Sequence, residues 1–265
     1  MKVAVVCSNG RVGRLVVKEA LAAELDVTGF AKGENKSLAK NFVQKDLFAL
    51  TKEDLSAFDV VVDAFGAWKE EDLPNHGKSL AHLCDLLSGT EARLVVVGGA
   101  GSLFVNKEHT LRVMDTPDFP AMFKPLASAQ GQALEDLRKR SDVRWTFISP
   151  AGDFRADDPK TGKWIWAGEE LTLNAKGESI ISYADYAAAL VEEMDERGRL
   201  HDGPRSQKRA EKREENNRRR KPRECGPFAV CHLSFLICPF AARAFDSRSS
   251  SSRSSFSVGT LRNAL

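Results

Sequence analysis

Apolar residues along this chain come in short unbroken runs separated by stretches of helical spacing. Lys2 to Val6 is a β-branched run. It breaks at Cys7-Ser8-Asn9-Gly10-Arg11-Val12-Gly13 and resumes at helical spacing as Leu15-Val16-Val17, Ala20-Leu21 and Ala23. Runs at 26–30, 41–44, 59–63, 93–97 and 143–148 predict further strands. Residues 76–87, with Leu80, Leu83, Cys84 and Leu87 on one face, and residues 127–140 predict helices. Thr51-Lys52-Glu53-Asp54 and Ser182-Tyr183-Ala184-Asp185 have the form of capping boxes. The second opens a helix running to about Met194, striped by Ala187, Leu190 and Val191. Trp164-Ile165-Trp166 and Leu171-Thr172-Leu173 read as short strands.

Strands alternating with helices over short connections predict an α/β fold with a doubly wound, Rossmann-like parallel sheet. Uninterrupted Val/Ile/Leu strands suit a sheet covered on both faces. In such sheets ligands sit beyond the carboxyl ends of the strands. Segments 7–13, 31–33, 46–47, 64–66 and 98–102 all follow strands and converge on one crevice. The first is a glycine turn between a strand and a helix. Glycine lets backbone approach a pyrophosphate, and the first helical N–H groups have no partner within the helix. The motif of this fold branch is G-x-x-G-x-x-G, and Cys7 stands at its first glycine. A small Cys fits there if its backbone angles are ordinary, and it narrows the room beside a diphosphate. Cys7 reads as a small buried hydrophobe rather than a redox thiol.

Charge divides the chain in two. Residues 1–198 hold 24 Lys+Arg against 31 Asp+Glu, a formal −7, and residues 199–265 hold 15 against 6, a formal +9. The first piece reads as one domain ending in a small substrate-side segment beyond Pro150. The second reads as a disordered basic tail of low complexity, closing on a Ser/Arg tract. Its texture suggests a frame-shifted or mis-spliced coding end. Within it, 226–245 is apolar but broken by Pro227, Pro239 and Arg243, which argues against a membrane span. Five cysteines make no disulfide framework, and the five-residue apolar start makes no secretory signal, so a cytoplasmic setting is expected. Cys225, Cys231, His232 and Cys238 match no zinc spacing, so no metal is expected. The Arg-rich tail lacks interleaved aromatics, so no nucleic-acid partner is expected either. The oligomeric state is left open.

The run Ser8 to Gly13, the strand end Asp63-Ala64-Phe65-Gly66 and the stretch Val95-Val96-Val97-Gly98-Gly99-Ala100-Gly101-Ser102-Leu103 resemble the atypical short-chain dehydrogenase/reductases. More narrowly they are similar to the NAD(P)H-binding group of NADH-flavin reductase type, relatives of NmrA-like proteins and of the biliverdin/flavin reductases. Asp115-Thr116-Pro117-Asp118-Phe119-Pro120, Lys124-Pro125, 145–151 and 181–187 extend the resemblance over residues 1 to about 195. Members end with a short strand after the last helix. Here the basic tail follows, so the last sheet contact is expected to be missing.

The resemblance implies a nicotinamide dinucleotide held by Cys7, Ser8, Asn9, Gly10, Arg11, Val12 and Gly13. Asp46 and Leu47 would flank the adenine, and Ala64, Phe65, Gly66 and Gly98 would line the remaining path. The end of the second strand reads Phe30-Ala31-Lys32-Gly33, with a cation where NAD-preferring folds carry an acid. Lys32, with Lys36 nearby, favours NADP over NAD. An ordinary exposed loop lysine is the other reading of Lys32. The two tyrosines, Tyr183 and Tyr186, have no Lys four residues on, so the Tyr-x-x-x-Lys acid/base pair is absent. Hydride can still pass to a flavin, quinone or similar acceptor, because cofactor and acceptor carry that chemistry. Ser102 and Lys124 are the polar catalytic candidates, with a turn hydroxyl and a surface charge as their structural alternatives. Phe123, Trp164 and Trp166 are candidates for stacking on a flat acceptor. The expectation is an NAD(P)H-dependent reductase. The alternative is a non-catalytic NADP(H)-sensing regulator of NmrA-like type.

Overall fold

The computed structural model describes residues 1–200 and 230–233. The elements run β1 (Lys2–Val6), α1 (Arg11–Ala22), β2 (Asp26–Ala31), β3 (Asn41–Gln44), α2 (Lys52–Leu55), β4 (Val60–Asp63), α3 (Asn75–Leu87), β5 (Arg93–Val97), α4 (Lys124–Arg138), β6 (Arg144–Pro150), β7 (Asp153–Arg155), β8 (Trp166–Ala167), β9 (Ile180–Ser182), α5 (Tyr183–Leu200) and β10 (Val230–Leu233). The main sheet has the order β3-β2-β1-β4-β5-β6-β10-β8. Its first six strands are parallel. The order reverses between β1 and β4, which puts the ligand crevice beyond the carboxyl ends of those two strands.

Successive strand residues point to opposite faces, and both faces are dry. Val3 and Val5 of β1, Val60 and Val62 of β4 and Val95 of β5 join Val16, Val17 and Ala20 of α1 and Leu190 of α5 in one apolar cluster. Ala4, Val6, Val61, Leu94 and Val96 join Leu80, Leu83 and Leu87 of α3 and Leu134 of α4 in the other. This is the doubly wound α/β fold that the alternation predicts.

The departures lie beyond β6. No strand forms at 171–173. The backbone there instead meets the loop after β5, where Phe104 N–H donates to Glu169 and Leu171 N–H donates to the Phe104 carbonyl. The Trp164–Trp166 expectation contracts to β8. β7 and β9 pair with each other apart from the main sheet and are too short for a periodic signal. The expectation that the sheet lacks its last contact is not met, because β10 runs antiparallel beside β6. The rest of the basic segment, with Cys225 and Cys238, lies outside the described residues, as does the expectation of disorder there.

Arg93, at the start of β5, ties the sheet to α5. Its Nη2 donates to Glu193 at 2.7 Å, and its Nε and Nη2 donate to Thr146 Oγ1 at 3.0 and 2.7 Å. Both charged side chains are only 10% exposed. Removing one partner of such a pair strands the other charge away from water. Glu193→Ala is therefore expected to lower folding stability by about 3 kcal/mol, read as a shift in the urea midpoint.

Candidate functional site

The turn from β1 into α1 is shaped by one carbonyl. Gly10 N–H donates to Cys7 O at 3.0 Å, and that oxygen then faces the first turn of α1. A Cβ built on Gly13 would meet Cys7 O at 2.6 Å and Ser8 Cα at 3.0 Å, so only glycine lets the helix sit this close. A Cβ on Gly10 would meet Cys7 O at 3.3 Å and the Ala64 carbonyl at 3.9 Å, so the loops after β1 and β4 abut. Gly10 is the N-cap of α1 and provides no side-chain cap. The first N–H groups of a twelve-residue helix are left to face the crevice, the arrangement that holds a phosphate. The glycine cradle and uncapped amides fit a dinucleotide diphosphate.

Cys7 departs from the expectation of ordinary angles. Its φ is 60°, in the left-handed region that costs a side-chain-bearing residue about 1–2 kcal/mol. That conformation is the physical reason the motif prefers glycine here. Burial pushes its thiol up to about 12, with the charges of Asp63 and Asp46 adding and that of Lys32 opposing. Three charges from the ends of β2, β3 and β4 thus act on one sulfur, so these strand ends lie around the turn after β1.

Not every predicted residue offers its side chain to this crevice. Ser8 is fully buried, and its hydroxyl donates to the Phe30 carbonyl. Val12 packs against the α1/α5 cluster. Leu47 is buried in the core, and exposed Asp46 caps the turn at 47–49 by accepting from Phe48 N–H. Gly98 is also buried; a Cβ there would lie 2.2 Å from the Phe147 ring, so its role in the geometry is packing. Arg11 pairs with Asp157 at 2.8 Å and lies over the Tyr183 ring. Lys32 is exposed just past β2, and Gly33 and Gly66 border open space. Phe65 is half-buried, in edge-to-face contact with His76. Ser102 donates its hydroxyl to Gly99 O in a tight turn, and Lys124 is exposed at the start of α4.

Sequence reasoning gave no site role to a cavity just behind the crevice, walled in part by Leu80, Val96, Val97, Ala133 and Phe147. Asp63, Phe65, His76, Ser79 and Gln130 line a space of about 20 Å³, room for one water. Asp63 ends β4, is 4% exposed and accepts from Phe65 N–H at 3.0 Å. Burial raises its carboxyl to about 6. His76 is held below its ordinary value by burial, with its Nε2 3.1 Å from the Ala67 carbonyl. The only sequence signal was an acid closing an apolar strand before a glycine turn. Among the described residues no cluster is set to hold a metal, and no helix is long and apolar enough to cross a membrane.

The model of an NAD(P)H-binding family matches residues 8–197. Bacillus subtilis YwnB is 40% identical over 197 residues, which span 74% of this chain and 92% of that one. Two solved structures, whose functional names are both putative, share the fold. An NADH-flavin reductase from Streptococcus pneumoniae is 43% identical at a TM-score of 0.73, covering 89% of this chain and 100% of its own. An NAD-dependent epimerase/dehydratase from Bacillus halodurans is 17% identical at a TM-score of 0.54, covering 89% and 94%, and speaks to the fold alone.

Two outcomes follow from the geometry. Cys7→Gly is expected to raise folding stability by about 1 kcal/mol in urea titrations, since relief of the left-handed strain outweighs the added chain entropy of glycine. Asp63 binds its proton up to about pH 6 when folded but only to 3.8 when unfolded, so ionising it between those values weakens the fold. The stability of Asp63→Asn relative to the parent should therefore grow by about 3 kcal/mol as pH rises through that window.

Proposed function

The chain belongs to the NAD(P)H-binding family, and from that premise we propose that it is an NADPH-preferring reductase delivering a hydride to a flat conjugated acceptor of the flavin or quinone kind. The observation that carries this reading is the paired character of the crevice. One corner has uncapped helix amides for a diphosphate. The β2 corner has Lys32 and Lys36, both exposed and without an ion pair among the described residues. Two exposed cations, neither held in an ion pair among the described residues, suit a 2′-phosphate.

When bound, the nicotinamide supplies the hydride. The chain holds and orients. The α1 amides and Gly10 would hold the diphosphate, and the open space at Gly33 and Gly66 would leave room beside it. Tyr186 is not placed to act as an acid. Tyr186 is fully buried and donates to the Ile148 carbonyl at 2.7 Å, and burial raises its hydroxyl further. Tyr183 is raised by burial as well and packs against Phe154 at 4.1 Å between ring centres. An acceptor whose own ring system takes the electrons and draws its proton from water needs no such acid. Ser102 and Lys124 are the polar side chains assigned to the acceptor side. Cys7 and Cys84 are free thiols, in keeping with a cytoplasmic setting.

Acceptor-dependent loss of the nicotinamide absorbance is expected when NADPH and FMN are mixed with the protein. Tight NADPH binding without any such loss overturns the reductase reading in favour of an NADP(H) sensor. Lys32→Ala is expected to raise the Kd for NADPH about tenfold while leaving NADH nearly unchanged in calorimetric titrations.

A further inference from the structure

Asn9 lies in the turn after β1, yet its side chain does not face the crevice as a free ligand. Its Nδ2 donates to the Glu34 carbonyl at 2.7 Å, and its Oδ1 accepts from Lys36 N–H at 2.8 Å. One amide thus grips two backbone groups of the β2–β3 loop from the neighbouring turn after β1. The loop has order of its own. Asn35 Oδ1 accepts from Ser37 N–H at 2.9 Å and Asn35 Nδ2 donates to Ala39 O at 2.8 Å. That internal order shapes the loop but does not fix where it stands. Its root is pinned where Lys45 N–H reaches Ala31 O at 2.9 Å, and its outer part is pinned by Asn9.

Two seats are therefore joined by a single side chain. Asn9 is rooted in the turn whose amides would hold the diphosphate, and it holds the loop that carries Lys32 and Lys36, gripping the Lys36 backbone itself. We propose that Asn9 is a positioning residue for cofactor choice: it fixes the span between the diphosphate seat and the lysines that meet the 2′-phosphate. The inference rests on the NADPH reading above. Asparagine suits the task because a carboxamide presents a donor and an acceptor at equal reach. Aspartate keeps the acceptor for Lys36 but sets a carboxylate oxygen against the Glu34 carbonyl. Alanine leaves both loop groups to water.

The test is calorimetric titration of the full chain with NADPH, NADH and the fragment 2′,5′-ADP, for the parent, Asn9→Ala, Asn9→Asp, Lys32→Ala and the Asn9→Ala/Lys32→Ala pair. Asn9→Ala is expected to weaken NADPH and 2′,5′-ADP about tenfold and NADH by less than about threefold. Asn9→Asp, which preserves size and the turn, should lose NADPH in the same sense. The double variant should lose clearly less NADPH affinity than the product of the two single losses, because Asn9 acts in part through Lys32. Equal losses for NADPH and NADH in both Asn9 variants, or fully additive losses in the pair, overturn the positioning role while leaving the NADPH reading standing. A parent chain that takes both dinucleotides equally overturns that reading and this inference with it.

Discussion

The close approach of α1 to the carbonyl of Cys7 governs the rest of the molecule. The helix can enter the sheet at this depth only because position 13 has no side chain to strike that oxygen. The approach brings the uncapped amides of the first turn level with the carboxyl end of β4, whose Ala64 carbonyl faces Gly10. Residue 7, whose carbonyl makes that contact, holds a left-handed backbone, which cysteine adopts under strain. Anion seat, crevice and strain are three faces of one steric contact.

Around that contact the protein separates buried charge by purpose. Arg93 and Glu193 neutralise each other far from the crevice, with Thr146 completing the guanidinium's hydrogen bonds. Asp185 is fully buried, but the N–H groups of Thr161 and Gly162 and the hydroxyl of Ser182 surround it and tether the loop after β7 to α5. Asp63 has no such escort. Its single backbone donor and apolar surroundings leave it reluctant to ionise, beside a cavity that also holds the neutral ring of His76. Structural acids here are saturated with donors, and the under-supplied one sits next to the crevice, where perturbed groups gather in functional sites.

How much of this was legible in the sequence follows from the range of each interaction. The core faces follow from alternation, because period two sends Val3 and Val5 one way and Ala4 and Val6 the other. The cap at 51–54 is local, and both of its reciprocal bonds form. The chain's other cap is equally local, with Ser182 Oγ taking the Asp185 N–H at 2.9 Å. The left-handed angle at Cys7 was marked in the sequence only by the motif glycine that cysteine replaces. The grip of Asn9 on residues 34 and 36, the pairing of Arg11 with Asp157 and the burial of Asp63 all join elements distant along the chain. Short strands beyond β6 escaped because three residues carry no period, and 171–173 is claimed by Phe104 before it can pair as a strand.

The thiol beside the anion seat has a chemical consequence. Peroxide attacks thiolates, not thiols. A sulfur that keeps its proton to about 12 offers almost no thiolate at neutral pH. Cysteine at this place is thus shielded from sulfenylation by the desolvation that holds its proton on.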